Sequence, residues 1–256
     1  MTNTLFAGKV YHRFDELPST NDYARDLLAK SKPPEGTVIR AASQSAGRGQ
    51  YGSQWLSAPG QNLTLSLILY PGWLSPGASF RLSEAVALAV WDTVYDSLPA
   101  AAAKIPLHLK WPNDIYLDGR KTAGILIQNA FSGARWQHAI VGIGLNVNQP
   151  AFPPELPEAS SMHIACGHTF DLEQVAGLLL ERLERRYLQL KAGQTADLRR
   201  EYHSRLLGME EERRFADANG HIFEGQIVGV EDDGRLSIRT SAGLRRFALK
   251  EVRMLP

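Results

Sequence analysis

Residues Gly47-Arg48-Gly49-Gln50-Tyr51-Gly52 spell G-x-G-x-x-G, the pattern with which a backbone wraps the pyrophosphate of a dinucleotide. In a Rossmann unit the pattern follows a strand and opens a helix whose N-terminus faces the phosphates. A β-prone run, Thr37 to Ala42, does precede it. The stretch directly after it, Ser53-Gln54-Trp55-Leu56-Ser57-Ala58-Pro59-Gly60, has no helical period and contains a Pro-Gly break. The Rossmann reading fails on that context. Its physical content survives, because three glycines let backbone N–H groups converge on an anion and Arg48 adds a fixed cation. A flexible surface loop is an equally good reading of the six residues alone.

The flanking periodicities point to an α+β chain rather than a doubly wound one. Ser19 or Thr20 can cap a helix whose apolar face includes Tyr23, Leu27 and Leu28, with Pro33-Pro34 as its stop. From Asn62 to Leu69 the period is that of a strand, with Leu63, Leu65, Leu67 and Leu69 on one face. Leu82, Val86, Val90 and Val94 mark the buried face of a helix. Leu107 to Trp111, Gly124 to Gln128 and Ala139 to Ile143 are further strand candidates, and Asp171 opens a long helix with Gln174 as its capping-box partner and Lys191 and Gly193 at its end. After Gly208 the pattern changes to short β runs, Arg214 to Ala216, Phe223 to Val230, Leu236 to Thr240 and Arg245 to Leu249. Asn219-Gly220 and Asp232-Asp233-Gly234 supply turns between them. The expectation is a main domain over 1–207 and a small antiparallel barrel over 208–256, which leans on the main domain because so short a segment has little core of its own.

Composition narrows the function classes. The 256 residues are 44% hydrophobic and 21% charged, with 28 Lys plus Arg against 27 Asp plus Glu, so there is no basic field to draw nucleic acid or an anionic membrane. No apolar run approaches a membrane span or the core of a secretory signal, the Met1–Tyr11 segment included. A single cysteine, Cys166, excludes an internal disulfide and a cysteine cage for a metal, and fits a reducing cytoplasm. The seven histidines lack ligand spacing and read as non-ligands, so no protein-held metal is expected.

Three further segments can carry chemistry. Lys110-Trp111-Pro112-Asn113-Asp114 ends a β run, and its proline and turn leave a cation, an amide and a carboxylate at one strand end; such a cluster is more often a solvated turn. Arg120-Lys121 precedes Thr122-Ala123-Gly124-Ile125-Leu126, where a basic pair usually protects a sheet edge but the flanking Gly119 and Gly124 let backbone approach a ligand. Val141-Gly142-Ile143-Gly144-Leu145-Asn146 sets two glycines in a strand, a sign that something packs very close.

In this order, Ser19-Thr20-Asn21, Gln44-Ser45-Ala46-Gly47-Arg48-Gly49 running to Trp55, Lys110-Trp111-Pro112-Asn113-Asp114, Arg120-Lys121 with Ala123-Gly124-Ile125-Leu126, and Gly142-Ile143-Gly144-Leu145-Asn146 resemble the biotin protein ligases. The resemblance implies a mixed-sheet catalytic domain of the class II synthetase-like type, followed by an SH3-like β-barrel. It implies a ligase that makes biotinyl-5′-AMP from biotin and ATP with Mg²⁺, then passes the biotinyl group to a lysine of a biotin carboxyl carrier protein domain. Under it, Ser19, Thr20, Asn21, Gln44, Gly47, Arg48, Gly49, Gln50, Lys121, Gly124 and Gly142 bind biotin. Arg48, Trp55, Lys110, Asn113, Lys121 and Asn146 bind ATP. Lys121, Arg48 and Asp114 are catalytic, with Asp114 orienting or deprotonating the incoming lysine. Repressor members carry a winged helix-turn-helix before the Ser-Thr-Asn motif; only 18 residues precede Ser19, so DNA is not an expected partner. No membrane partner is expected, and a homodimer stays open. Gln50 stands where many members have a second arginine, and glutamine offers no cation or bidentate fork. Two alternatives share parts of this pattern, a lipoate-type ligase and a biotin-sensing module without catalysis.

Overall fold

The computed structural model of the chain describes residues 3–255, the Tyr51 side chain excepted. Met1, Thr2 and Pro256, the outer ends of the two expected domains, lie outside the described residues. A seven-stranded mixed sheet forms the centre. Its strands are β1 (Tyr11–Leu17), β2 (Val38–Gln44), β3 (Leu63–Leu69), β4 (Leu107–Lys110), β5 (Asp114–Leu117), β6 (Arg120–Ser132) and β7 (Arg135–Leu145), in the spatial order β1-β2-β3-β7-β6-β5-β4. Only β1 and β2 run parallel; the other neighbours are antiparallel. Edge strand β1 has no clean apolar alternation, which hides it in the sequence; Phe14 and Leu17 alone reach the core.

Helices cover both faces unequally. On one side lie α2 (Phe80–Ser97), α4 (Leu172–Lys191) and α5 (Thr195–Ser204), packed on the face that carries Leu63, Leu65, Leu67 and Leu69. The opposite side holds only α1 (Thr20–Lys30), over a small apolar group of Ala24, Ile39, Ile68 and Ile140. Strand β3 is therefore buried on both faces, and its second face is polar toward one end, with Thr64 and Ser66. Helix α1 starts where expected: the Ser19 hydroxyl accepts the Asp22 N–H at 3.4 Å. Likewise Asp171 caps α4 through the N–H groups of Glu173 and Gln174, and Gly193 leaves the helix at φ +79°. A one-and-a-half-turn α3 (Met162–Cys166) and the polar α5 carry too weak a pattern to read from sequence.

One anchoring contact ties the start of the chain to α4. The buried Glu184 carboxylate accepts the N–H groups of Leu5, Phe6 and Ala7 at 2.6, 2.7 and 2.9 Å.

A second, five-stranded antiparallel sheet comes next, β8 (Glu212–Asp217), β9 (Ile222–Val230), β10 (Leu236–Thr240), β11 (Gly243–Phe247) and β12 (Val252–Met254), in the order β11-β10-β9-β8-β12. Gly220 and Gly234, both at positive φ, make the two expected turns. Strand β12, which closes back on β8, was not legible as a β run. Phe215, Ile227, Leu236 and Ile238 belong to the same continuous apolar core as the helices of the main sheet. The β9–β10 turn also meets the main sheet's motif directly, since Trp111 Nε1 donates to the Gly234 carbonyl at 2.9 Å. Among the described residues no helix is long and apolar enough to cross a membrane.

Candidate active site

The site face of the sheet is the one under α1, where the core leaves room. Gly142 and Gly144 on β7 pair with Leu126 and Gly124 on β6, so their missing side chains open a trough across both strands. A Cβ on Gly142 would lie 2.3 Å from Asn21 Oδ1, and one on Gly144 2.2 Å from the Trp55 indole; one on Gly124 would stand 3.0 Å from the same ring. The sequence expectation of close approach holds, but at Gly124 and Gly142 the close neighbours are the chain's own Trp55 and Asn21.

At one end of the trough the N-terminus of α1 gathers polar groups. The Thr20 N–H donates to Gln44 Oε1 at 2.8 Å. The Ser66 hydroxyl lies 2.8 Å from Thr20 Oγ1 and 2.6 Å from Asn21 Oδ1, and the Asn21 amide donates to Gln128 Oε1 at 3.1 Å. Thr20, Asn21 and Ser66 are all buried. Such a network fixes donors and acceptors before any ligand arrives. Ser66, which supports Thr20 and Asn21 from beneath the cleft, was missed in the sequence. Its signal was present: a hydroxyl at an alternate position of a leucine strand belongs to the face opposite the leucines.

The glycine loop is a tight hairpin. The Gly49 N–H donates to the Ser53 carbonyl at 2.7 Å and the Trp55 N–H to that of Gly47 at 3.0 Å, around a 3₁₀ turn at Gln50–Gly52. Side chains at positions 47 or 49 would strike Trp55 O or Ser53 Oγ at 2.4 Å, so these glycines serve the hairpin itself. The half-exposed Arg48 is engaged by α1, with Nε 2.8 Å from Asp22 Oδ2. Asp22, a second residue the sequence did not flag, thus holds the loop's cation at the polar end.

At the other end Lys121 Nζ stands 2.7 Å from Asp114 Oδ1. The ammonium is thus the close ionic partner of a buried carboxylate. Burial raises the Asp114 carboxyl above the ordinary aspartate range, against the pull of the Lys121 and Lys110 cations. The Lys121 ammonium also sits 5.9 Å from the Trp55 ring centroid. Buried Trp55 Nε1 and Asn146 Oδ1 lack hydrogen-bond partners, one free donor and one free acceptor.

Ser19, Thr20, Asn21, Gln44, Arg48, Gly49, Gln50, Trp55, Asn113, Lys121, Gly124 and Gly142 line one cleft. Gly47 sits just behind its wall, supporting Trp55. Three further expected residues are not in that lining. Asp114 is beneath it, reached through Lys121. Lys110 turns away into the groove between the two sheets, where Nζ meets Tyr116 Oη at 2.7 Å and Glu158 at 3.5 Å. Asn146 is buried, with its amide donating to the Ser160 carbonyl at 2.9 Å. Among the described residues no group of three or more His, Cys, Asp or Glu is placed to hold a metal ion.

The cleft's elements are those of a known family model. The model of the biotin/lipoate A/B protein ligase family matches residues 13–146, which run from β1 past the glycine pair of β7. The chain belongs to this family. Relatives cover nearly all of it. The bifunctional ligase/repressor BirA of Bacillus subtilis is 34% identical over 248 residues, 96% of this chain and 73% of that protein. The biotin--[acetyl-CoA-carboxylase] ligase of Paracoccus denitrificans is 34% identical over 221 residues, 84% of this chain and 88% of that one. Among solved structures, the biotin protein ligase of Aquifex aeolicus in complex with biotin and ATP superimposes with a TM-score of 0.78 at 27% identity, over 96% of this chain and 99% of that one. The similarity to these ligases therefore includes the second sheet, which the family model does not reach.

Proposed function

We propose that the protein is an ATP-dependent biotin protein ligase, which activates biotin as biotinyl-5′-AMP and transfers it to a lysine of a biotin carboxyl carrier domain. The observation that carries the reading is the Lys121–Asp114 pair at one end of a trough whose other end is a prearranged set of neutral hydrogen-bonding groups. A ureido ring, with two N–H donors and one carbonyl, suits the Ser19, Thr20, Asn21 and Gln44 end. A carboxylate at the far end of the same molecule suits Lys121.

In the first step a biotin carboxylate oxygen attacks the α-phosphorus of ATP, and pyrophosphate leaves with the electrons of the broken P–O bond. Two anions must meet, which calls for cations and N–H donors fixed in advance rather than for a nucleophile on the protein. Lys121 bridges the carboxylate and the α-phosphate; Arg48, once exchanged from Asp22, reaches the phosphates. The free Trp55 N–H and Asn146 carbonyl mark the nucleotide side, while Lys110 supplies charge only from the neighbouring groove. Mg²⁺ enters as part of the substrate MgATP, since it is content with phosphate oxygens, water and at most one or two carboxylates.

In the second step a neutral lysine amine attacks the acyl carbon and AMP leaves, its phosphate taking the electron pair. Asp114, whose burial gives it a raised affinity for protons, receives the amine's proton. The catalytic unit is assigned to 1–207 and the barrel to 208–256. The test is mass spectrometry of a carrier domain after incubation with biotin and MgATP. A biotinyl adduct on one lysine is the expected result; an adduct from lipoate alone, or none with biotin bound, refutes it.

A further inference from the structure

Beside the Lys121–Asp114 pair lies a cluster of Lys110, Tyr116 and Glu158, of which the ligase reading uses Lys110 alone. The Tyr116 hydroxyl, on a side chain only 4% exposed, donates to Glu158 Oε2 at 2.6 Å and accepts from Lys110 Nζ at 2.7 Å. The hydrogen bond to Tyr116 and the nearby ammonium hold the Glu158 carboxyl below its usual range. The backbone around Glu158 runs beside β6. The Lys121 N–H donates to the Glu158 carbonyl at 2.7 Å, and the Ser160 N–H to the Lys121 carbonyl at 2.8 Å. Both backbone hydrogen-bonding groups of Lys121 are thus spent on one irregular strap. Apart from Asn146, which takes the Ser160 carbonyl, the described side-chain attachment of that strap beside Lys121 is the Glu158 carboxylate.

We propose that Glu158 is a positioning residue of the ligase: clamped by Tyr116 and Lys110, its carboxylate holds the 158–160 strap along Lys121 and so keeps the Lys121 ammonium at Asp114. The proposal rests on the ligase reading for its kinetic consequence, while the clamp itself is a property of the chain. Electrostatics give the cluster a second effect. Asp114 faces Lys121 from β6, Lys110 from β4 and Glu158 from the strap. Removing the Glu158 charge takes away an anion and releases the Lys110 cation, and both changes ease ionisation of Asp114.

The test compares wild type with Glu158→Ala, Glu158→Gln, Tyr116→Phe and Glu158→Ala/Tyr116→Phe, following pyrophosphate release and transfer to a carrier domain separately. Hydrogen exchange of the Lys121 and Ser160 amides is measured on the same proteins. Glu158→Ala and Tyr116→Phe each lower kcat of adenylation by roughly tenfold, as small misplacements of a catalytic group do. The double variant loses no more than either single one, because both cut the same link. Glu158→Gln, whose amide oxygen still accepts from Tyr116, keeps most of kcat. Yet it shares with Glu158→Ala an acid limb of the transfer step moved to lower pH. Amide exchange at Lys121 and Ser160 quickens in Glu158→Ala and Tyr116→Phe, and not in Glu158→Gln. Unchanged exchange in Glu158→Ala overturns the clamp whatever the activity. Faster exchange with a wild-type kcat, or additive losses in the double variant, overturns the positioning role. If wild type itself transfers no biotin, the ligase reading falls and takes the kinetic part with it, and the exchange data still judge the clamp.

Discussion

A methyl group at position 142 probes the trough most directly. In Gly142→Ala the new Cβ would lie 2.3 Å from Asn21 Oδ1, 3.0 Å from its Cγ and 3.1 Å from its Nδ2. Asn21 has nowhere to retreat: it is 3% exposed, rides on α1, and is bonded to Ser66 and Gln128. Either β7 shifts or the amide swings off both partners. Overpacking of this kind costs about 1–3 kcal/mol, and each neutral hydrogen bond forfeited adds about 1 kcal/mol. A net loss of about 2 kcal/mol corresponds to a fall in Tm of roughly 4–8 °C for a chain of this size. The decisive measurement is a cycle with Asn21→Ala, which vacates the space the methyl needs. Gly142→Ala/Asn21→Ala should be more stable than the sum of its parts by about 1–2 kcal/mol, inside the range for residues in contact. Thermal and denaturant unfolding read the stabilities, and calorimetry reads biotin binding, which each single variant weakens. A Gly142→Ala protein as stable as wild type, or losses that simply add, would refute the steric argument.

Three other outcomes are expected. Lys121→Ala should keep its fold and lose adenylate formation, by ~3 kcal/mol or more in the transition state; near-wild-type pyrophosphate release would remove Lys121 from its role. The 47–55 hairpin should become resistant to proteolysis when biotin or its adenylate binds, because glycine-rich backbone is costly to order until an anion compensates. Equal cleavage with and without ligand counts against it. Finally, His203 accepts the Val230 N–H at 3.1 Å, and burial, with Arg199 and Arg81 nearby, pushes its pKa below the usual value. The unfolded chain then binds a proton that the folded one refuses, so this contribution is intact above the ordinary histidine pKa and is lost as pH falls below it, by at most ~1.4 kcal/mol per pH unit. Denaturant midpoints between pH 7 and pH 5 should fall less in His203→Gln than in wild type.

The sequence was most legible where one residue type has one physical reading. Ser19, Asp171, Gly193, Gly220 and Gly234 announced caps and turns that the structure contains, and the leucines of β3 announced the buried face. Motif residues spread over roughly a hundred positions do converge on one cleft. Less visible was what depends on partners far along the chain. That Lys110 turns toward Tyr116 and Glu158 follows from a strap 48 residues later, which no local spacing encodes. The glycines of β6 and β7 announced close packing but not its partner, because a missing side chain does not say whose side chain fills the gap. Strand β1 and helix α5 escaped since both are mostly polar and are held by neighbours rather than by their own pattern.

The three N–H groups gathered by Glu184 also set an order of events. Leu5, Phe6 and Ala7 are synthesised before their acceptor, which comes 177 to 179 positions later. At typical synthesis rates of roughly 5–20 residues per second, that segment waits on the order of ten seconds or more without its partner. Its fastening is therefore a late step in the making of the main sheet, and a chain halted before α4 keeps a loose 5–7 segment whose exposed amides are open to proteases and to stray strand edges.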